Sequence, residues 1–284
     1  MSRLIITGAT GTGAFSLSYP HPTKQLTPDS RFLAGFAAYL AALADPSVSY
    51  ITLLLRREIP SWADLPSHAS EKTKTIIVKD FVQYSDELVS LIANHDGCVW
   101  ALGKSAQGLS EEEYVKIHVD FPLSAVEALK KAGVGSAEKP FNFVYVSGEG
   151  ADPSQKAMFM WSRGKVRVSP GPQPRVRWLT MCAVVQGRAE VELAKALDTP
   201  TTRLLVARPG YFFPEHAGQR QNQHGYIGRF LDTIVGHAFT YTSKGVSTGT
   251  LGSFLVESAK GSFPNVSLAD NAQLKQLLKD LRKQ

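Results

Sequence analysis

Six short runs of this chain, residues 3–7, 49–55, 74–78, 97–102, 142–147 and 202–208, are apolar almost throughout rather than at every second position. Alternation marks a strand with one wet face, whereas a continuous apolar run marks a strand covered on both faces. Helical patterns lie between the runs: an Ala/Leu-rich stretch over 35–43, residues 84–93 with Leu88, Leu91 and Ile92 on one side, and a helix from Ser110 towards Lys131 with a break near Pro122. An amphipathic helix is expected over 268–281. Such alternation predicts a doubly wound α/β domain with a largely parallel sheet. At 284 residues the chain fits one such domain over 1–284, with residues 211–284 as the substrate side of its cleft.

The first strand runs straight into Thr7-Gly8-Ala9-Thr10-Gly11. A glycine turn between a buried strand and a helix lets backbone amides approach a pyrophosphate, whose charge the helix N-terminus favours; a glycine turn without a ligand is the plainer alternative. Selection between dinucleotides falls at the end of the second strand, where an acid would bind ribose hydroxyls and arginine a 2′-phosphate. Arg56 and Arg57 stand there, with no acid before Glu58, so NADP is expected over NAD. Alternatively, both arginines belong to a solvated loop. Ser110-Glu111-Glu112-Glu113 reads as a capping box opening a helix, so its three glutamates are a solvated first turn rather than acid–base machinery.

Thr7–Gly11, Leu55-Arg56-Arg57, Asp80, Trp100-Ala101-Leu102-Gly103, residues 145–152 and Arg208-Pro209-Gly210 occur in order. Together they resemble the atypical short-chain dehydrogenases/reductases, NAD(P)-binding Rossmann proteins, and within them fungal relatives of the Tat-interacting tumour-suppressor branch. The resemblance implies that Gly8, Thr10, Gly11, Gly35, Arg56 and Arg57 bind the dinucleotide phosphates. It places Asp80 and Phe81 at the adenine, Ala101, Leu102 and Gly103 along the cofactor, and Pro209 and Gly210 on the nicotinamide side. Ser147 matches the serine that hydrogen-bonds the reacting carbonyl.

The departures bear on catalysis. Active relatives use a tyrosine as general acid and a lysine four residues later. Tyr145 and Tyr211 have no such lysine. If residues 164–184 are an insertion, rejoining Arg163 to Val185 puts Trp161 at the tyrosine position and Gln186 at the lysine position, with Trp161 fourteen residues beyond Ser147. Neither an indole nor an amide supplies the missing acidic proton or positive charge. Residues 13–33 are the second expected insertion. Removing them joins Thr12 to Ala34 and brings Gly35 into the spacing of Gly8 and Gly11. Both segments are expected to be irregular, since they hold Pro20, Pro22, Pro28, Pro170, Pro172 and Pro174, six of the 16 prolines. Real surface insertions and segments foreign to the fold both remain open.

The net charge of +6 concentrates in these segments, through Lys24 and Arg31 in one and Lys165, Arg167, Arg175 and Arg177 in the other, so nucleic-acid binding is not expected. Cys98 and Cys182 read as reduced thiols. His216 and His224 lack metal-ligand spacing, so no metal is expected. With no span for a bilayer and no secretory leader pattern, the chain reads as cytoplasmic. The expected function is NADP-dependent hydride transfer involving an unidentified small carbonyl or alcohol. The alternative is a non-catalytic dinucleotide sensor or a module binding a protein partner.

Overall fold

The computed structural model describes residues 1–10, 30–59, 63, 65–104, 106, 109–154, 174–213 and 245–283. Seven strands form one sheet: β1 (Ser2–Thr7), β2 (Val48–Leu55), β3 (Thr73–Ile77), β4 (Gly97–Trp100), β5 (Phe141–Val146), β6 (Thr202–Arg208) and β9 (Leu268–Asp270). Their order is β3-β2-β1-β4-β5-β6-β9, every neighbouring pair parallel. The order reverses at β1, with Ile5 aligned to Thr52 on one side and to Cys98 on the other. In an open parallel sheet, the crevice beyond the carboxyl ends of the strands at such a switch point is where ligands bind.

One face is covered by α1 (Ser30–Ala44), α7 (Thr248–Lys260) and α8 (Asn271–Leu281). Helices α1 and α7 approach closely, because a Cβ at Gly252 would meet the Ala37 carbonyl oxygen at 2.3 Å. Between them they bury Phe36, Tyr39, Leu251, Phe254 and Leu255 against β1 and β2. Each such side chain contributes about 1.5–3 kcal/mol by leaving water. Beyond α1, the Lys72 ammonium, in α2 (Ala69–Lys72), donates to the carbonyls of Ala42, Leu43 and Asp45 at 2.8, 3.1 and 2.6 Å. It satisfies acceptors that a helix end leaves without amides and answers the dipole there.

The opposite face carries α3 (Asp86–Ile92), α4 (Glu111–Val115), α5 (Phe121–Lys131) and α6 (Pro174–Ala196). The expected capping box opens α4: Ser110 Oγ accepts the Glu113 amide at 3.2 Å, and Glu113 accepts the Ser110 amide at 2.8 Å. Glu111, Glu112 and Glu113 are all exposed. The break near Pro122 is a π-helical turn, Lys116–Asp120, between α4 and α5. Proline returns no amide to the preceding turn, and the carbonyl of His118, four residues earlier, accepts the Tyr145 hydroxyl at 3.2 Å.

Three expectations are corrected. Residues 174–184 are helical, as the first part of α6, and Val184 is buried; the stretch after Pro174 holds no helix breaker until Gly187, and proline is tolerated in a first turn. Residues 30–33 likewise belong to α1. The expected insertions, 13–33 and 164–184, are therefore not irregular throughout, and their remaining residues lie outside those described. Second, 268–270 is a strand, and α8 begins only after Asp270, whose side chain accepts the amides of Ala272 and Gln273. Third, much of 211–284 is not a cleft wall: α7, β9 and α8 build the core and extend the sheet, while β7 (Tyr211–Phe213) pairs with β8 (Gly245–Ser247) in a separate ribbon.

Candidate active site

The carboxyl ends of β1 and β4 are tied together by one hydroxyl. Thr7 Oγ1 accepts the amides of Ala101 and Leu102 at 3.0 and 3.1 Å. Gly8 follows with φ +76°, and a Cβ there would come within 2.3 Å of the Ala101 carbonyl oxygen. Both the conformation and the space require glycine. A Cβ at Gly35 of α1 would lie 2.6 Å from the Thr7 oxygen and from the Gly8 carbonyl carbon. The helix thus crosses the turn at backbone contact, the packing that the third glycine of a dinucleotide turn provides. Gly11 lies outside the described residues.

The end of β2 reaches the same turn. Arg57 donates Nε and Nη2 to the Thr10 carbonyl at 3.0 and 2.8 Å. Crowding by protein lowers the pKa of Arg56 from its ordinary value, and the like charge of Arg57 lowers it further. The Arg57 guanidinium thus stands at the glycine turn and is near enough to Arg56 for the two like charges to oppose each other, which an anion would relieve.

After β3, Asp80 Oδ1 accepts the Val82 amide at 3.1 Å, in an exposed turn. Phe81 belongs to the buried core. Its ring is fully buried, 5.8 Å and edge-on from Trp100 and 5.8 Å from Phe121, because these aromatics offer it a dry bed. Ala101, Leu102 and Gly103 are buried just beyond β4. Pro209 is buried after β6, and the Gly210 amide donates to Asn271 Oδ1 at 3.1 Å. Asn271 also donates to the Gly245 carbonyl at 3.1 Å, holding the exit of β6 beside the β7–β8 ribbon.

Ser147 lies just beyond β5, with its amide donating to the Ala207 carbonyl at 2.8 Å and its side chain 3% exposed. Its Oγ donates to Glu190 Oε1 at 2.5 Å. Arg208 donates Nε to that oxygen at 2.9 Å and pairs through Nη2 with Oε2. One turn before Glu190 on α6, Gln186 donates its amide to the Tyr114 hydroxyl at 3.3 Å. A Cβ at Gly148 would come within 2.7 Å of Gln186 Oε1, so the glutamine presses on the residue after Ser147. The Tyr114 ring packs against that of His118, centroids 4.1 Å apart and tilted by 42°, and His118 Nε2 lies 3.0 Å from the Lys104 carbonyl. Gln186 is thereby linked to the loop after β4. Trp161 lies outside the described residues.

The structure brings Gly8, Thr10, Gly35, Arg57, Ala101 and Leu102 to the switch point, and Gln186 close to Ser147. The Glu190–Arg208 pair, Tyr114, His118 and Asn271 had no assigned role in the sequence reading. The placement of Glu190 four residues beyond Gln186, on the same helical face, was the available signal.

No family profile matches the chain. The leucinostatins biosynthesis cluster protein T of Purpureocillium lilacinum is 31% identical over 178 residues, covering 63% of this chain and 54% of that protein. The chain therefore spans about half the length of the curated relative it matches. Among solved structures, a UDP-N-acetylglucosamine 4-epimerase from Methanobrevibacter ruminantium M1 superposes with TM-score 0.58 at 12% identity, over 100% of this chain and 83% of that one. An oxidoreductase of the short-chain dehydrogenase/reductase family from Burkholderia thailandensis gives 0.57 at 12%, over 100% and 98%. A protein from Agrobacterium tumefaciens solved with bound NADP gives 0.51 at 13%, over 96% of each chain. The fold is thus the Rossmann-type α/β fold found in short-chain dehydrogenases/reductases and nucleotide-sugar epimerases. Among the described residues, no helix is long and apolar enough to cross a membrane.

Proposed function

We propose that this chain is a cytoplasmic NADP-binding protein of the atypical short-chain dehydrogenase/reductase class, akin to fungal members of the Tat-interacting branch. The observation that carries this reading is the turn at Gly8, packed at backbone contact on Ala101 and Gly35 and braced by Arg57. Gly8 supplies the left-handed turn and Gly35 lets α1 meet that turn at backbone contact, so that a pyrophosphate can sit at the helix N-terminus, while Arg56 and Arg57 meet the 2′-phosphate. Bound NADP would supply a hydride acceptor or donor for an alcohol or carbonyl beside Ser147. The relative's place in a leucinostatins cluster supports a substrate from specialised metabolism. Gln186, an amide at the lysine position and engaged with Tyr114, supports a second reading, a dinucleotide sensor or protein-binding module without turnover.

A fluorescence titration tests the first reading. NADPH should bind more tightly than NADH, and Arg56→Ala with Arg57→Ala should erase the difference. Equal affinities in the parent chain would refute the NADP assignment. Consumption of NADPH against a carbonyl panel then separates enzyme from sensor.

A further inference from the structure

A serine hydroxyl has one proton to give, and that of Ser147 is already committed. It donates to Glu190 Oε1 at 2.5 Å. Glu190 does not donate back, because Arg208 engages both of its oxygens in the two-pronged geometry of a guanidinium–carboxylate pair. The hydrogen bond to Glu190 raises the pKa of Arg208 from its ordinary value, against the opposing effect of burial. Ser147 and Glu190 are 3% and 5% exposed, so water does not compete easily for the bond. Turning the serine proton elsewhere would leave a charge-assisted hydrogen bond unmade in a buried place, a costly exchange.

A hydroxyl held this way offers a ligand only its lone pairs. Its next partner must bring a proton; an alcohol does, and a carbonyl oxygen does not. We infer that Glu190 and Arg208 hold Ser147 as a hydrogen-bond acceptor, so that the cleft selects a hydroxyl-bearing ligand over the matching carbonyl compound. The inference rests on the proposed reading of Ser147 as the ligand-facing serine. Glu190 and Arg208 are positioning residues, since they act through Ser147. Were they only a strut between α6 and the end of β6, altering Glu190 would change stability without changing ligand preference.

Two measurements on the full chain test it. In proton NMR with labelled serine, the Ser147 hydroxyl should exchange slowly and resonate downfield, vanish in Ser147→Ala and move upfield in Glu190→Gln. In saturation-transfer titrations, the parent should bind cyclohexanol about fivefold more tightly than cyclohexanone, the worth of roughly one hydrogen bond. Ser147→Ala, which keeps the Glu190–Arg208 pair, should bind both probes equally. Glu190→Gln, whose amide can donate to Ser147 and release its proton, should lose or reverse the preference. Absence of the hydroxyl resonance, ketone preference or equal binding in the parent, no binding of either probe, or an unchanged preference in both variants would overturn the inference. A chain that meets these expectations yet binds no NADPH would overturn the cofactor reading alone.

Discussion

Gly35 of α1 rests on Gly8 so closely that a Cβ at position 35 would lie 2.6 Å from the Gly8 carbonyl carbon. The neighbouring atoms are backbone, so relief requires the helix or the turn to move. Gly35→Ala should therefore destabilise the fold by roughly 1–3 kcal/mol, the usual cost of overpacking. Urea denaturation reads this directly, and an unchanged midpoint would show that the contact is looser than described. The same variant should weaken NADPH binding, since the turn must shift.

The same contact makes residues 13–33 dispensable in principle. Joining Thr12 to Ala34 keeps Gly35 in reach of Gly8, at the loss of the first residues of α1. The shortened chain is expected to fold and to bind NADPH more tightly than the parent. Loss of the cooperative unfolding transition on deletion would show that the segment is part of the fold.

At the other end of the strands, His95 sets an acid limit on stability. Burial lowers its pKa from 6.5 to about 4. Its Nδ1 faces the Ile92 carbonyl at 3.1 Å and so carries the hydrogen, leaving Nε2 to accept from Thr52 Oγ1 at 2.8 Å. Because the folded pKa lies below the unfolded one, the contribution is complete above about pH 6.5 and is lost as pH falls towards about 4. Its full size is about 3 kcal/mol. Stability measured from pH 7 to 4 should fall by that order, and His95→Asn should flatten the slope. A wild-type profile flat over this range would contradict the assignment.

Trp161→Tyr with Gln186→Lys restores the general acid and its cation, if the rejoined alignment is right. NADPH consumption with a carbonyl panel should then exceed that of the parent by about 10²–10⁴-fold, the usual worth of such catalysis. A parent as active as the double variant would show that the chemistry lies elsewhere.

The strands were legible because a buried parallel strand must be apolar on both faces; all six predicted runs became strands, and β6 matches residue for residue. Strand β9 was not legible. It is three residues long, with only Ala269 buried, and it abuts a helical pattern. Residues 174–184 were misread because prolines crowd their approach, whereas the sequence after Pro174 is ordinary helix material. At the site, glycines and arginines announced themselves through local spacing. The engagement of Ser147 by Glu190 did not, since it joins residues 43 positions apart. Phe81 was assigned to a ligand by motif, while the aromatic cluster that claims its ring comes from β4 and α5.

The Tyr145 hydroxyl reaches the His118 carbonyl where Pro122 has no amide to send. The two positions are therefore not free to diverge separately. If the proline is replaced first, an amide becomes available to that carbonyl and the hydroxyl becomes expendable. If the tyrosine is replaced first, that carbonyl loses the hydroxyl while position 122 still has no amide to offer. Drift at this place should consequently run in one order, with Pro122 changing before Tyr145, and homologues with phenylalanine at the second position should seldom retain proline at the first.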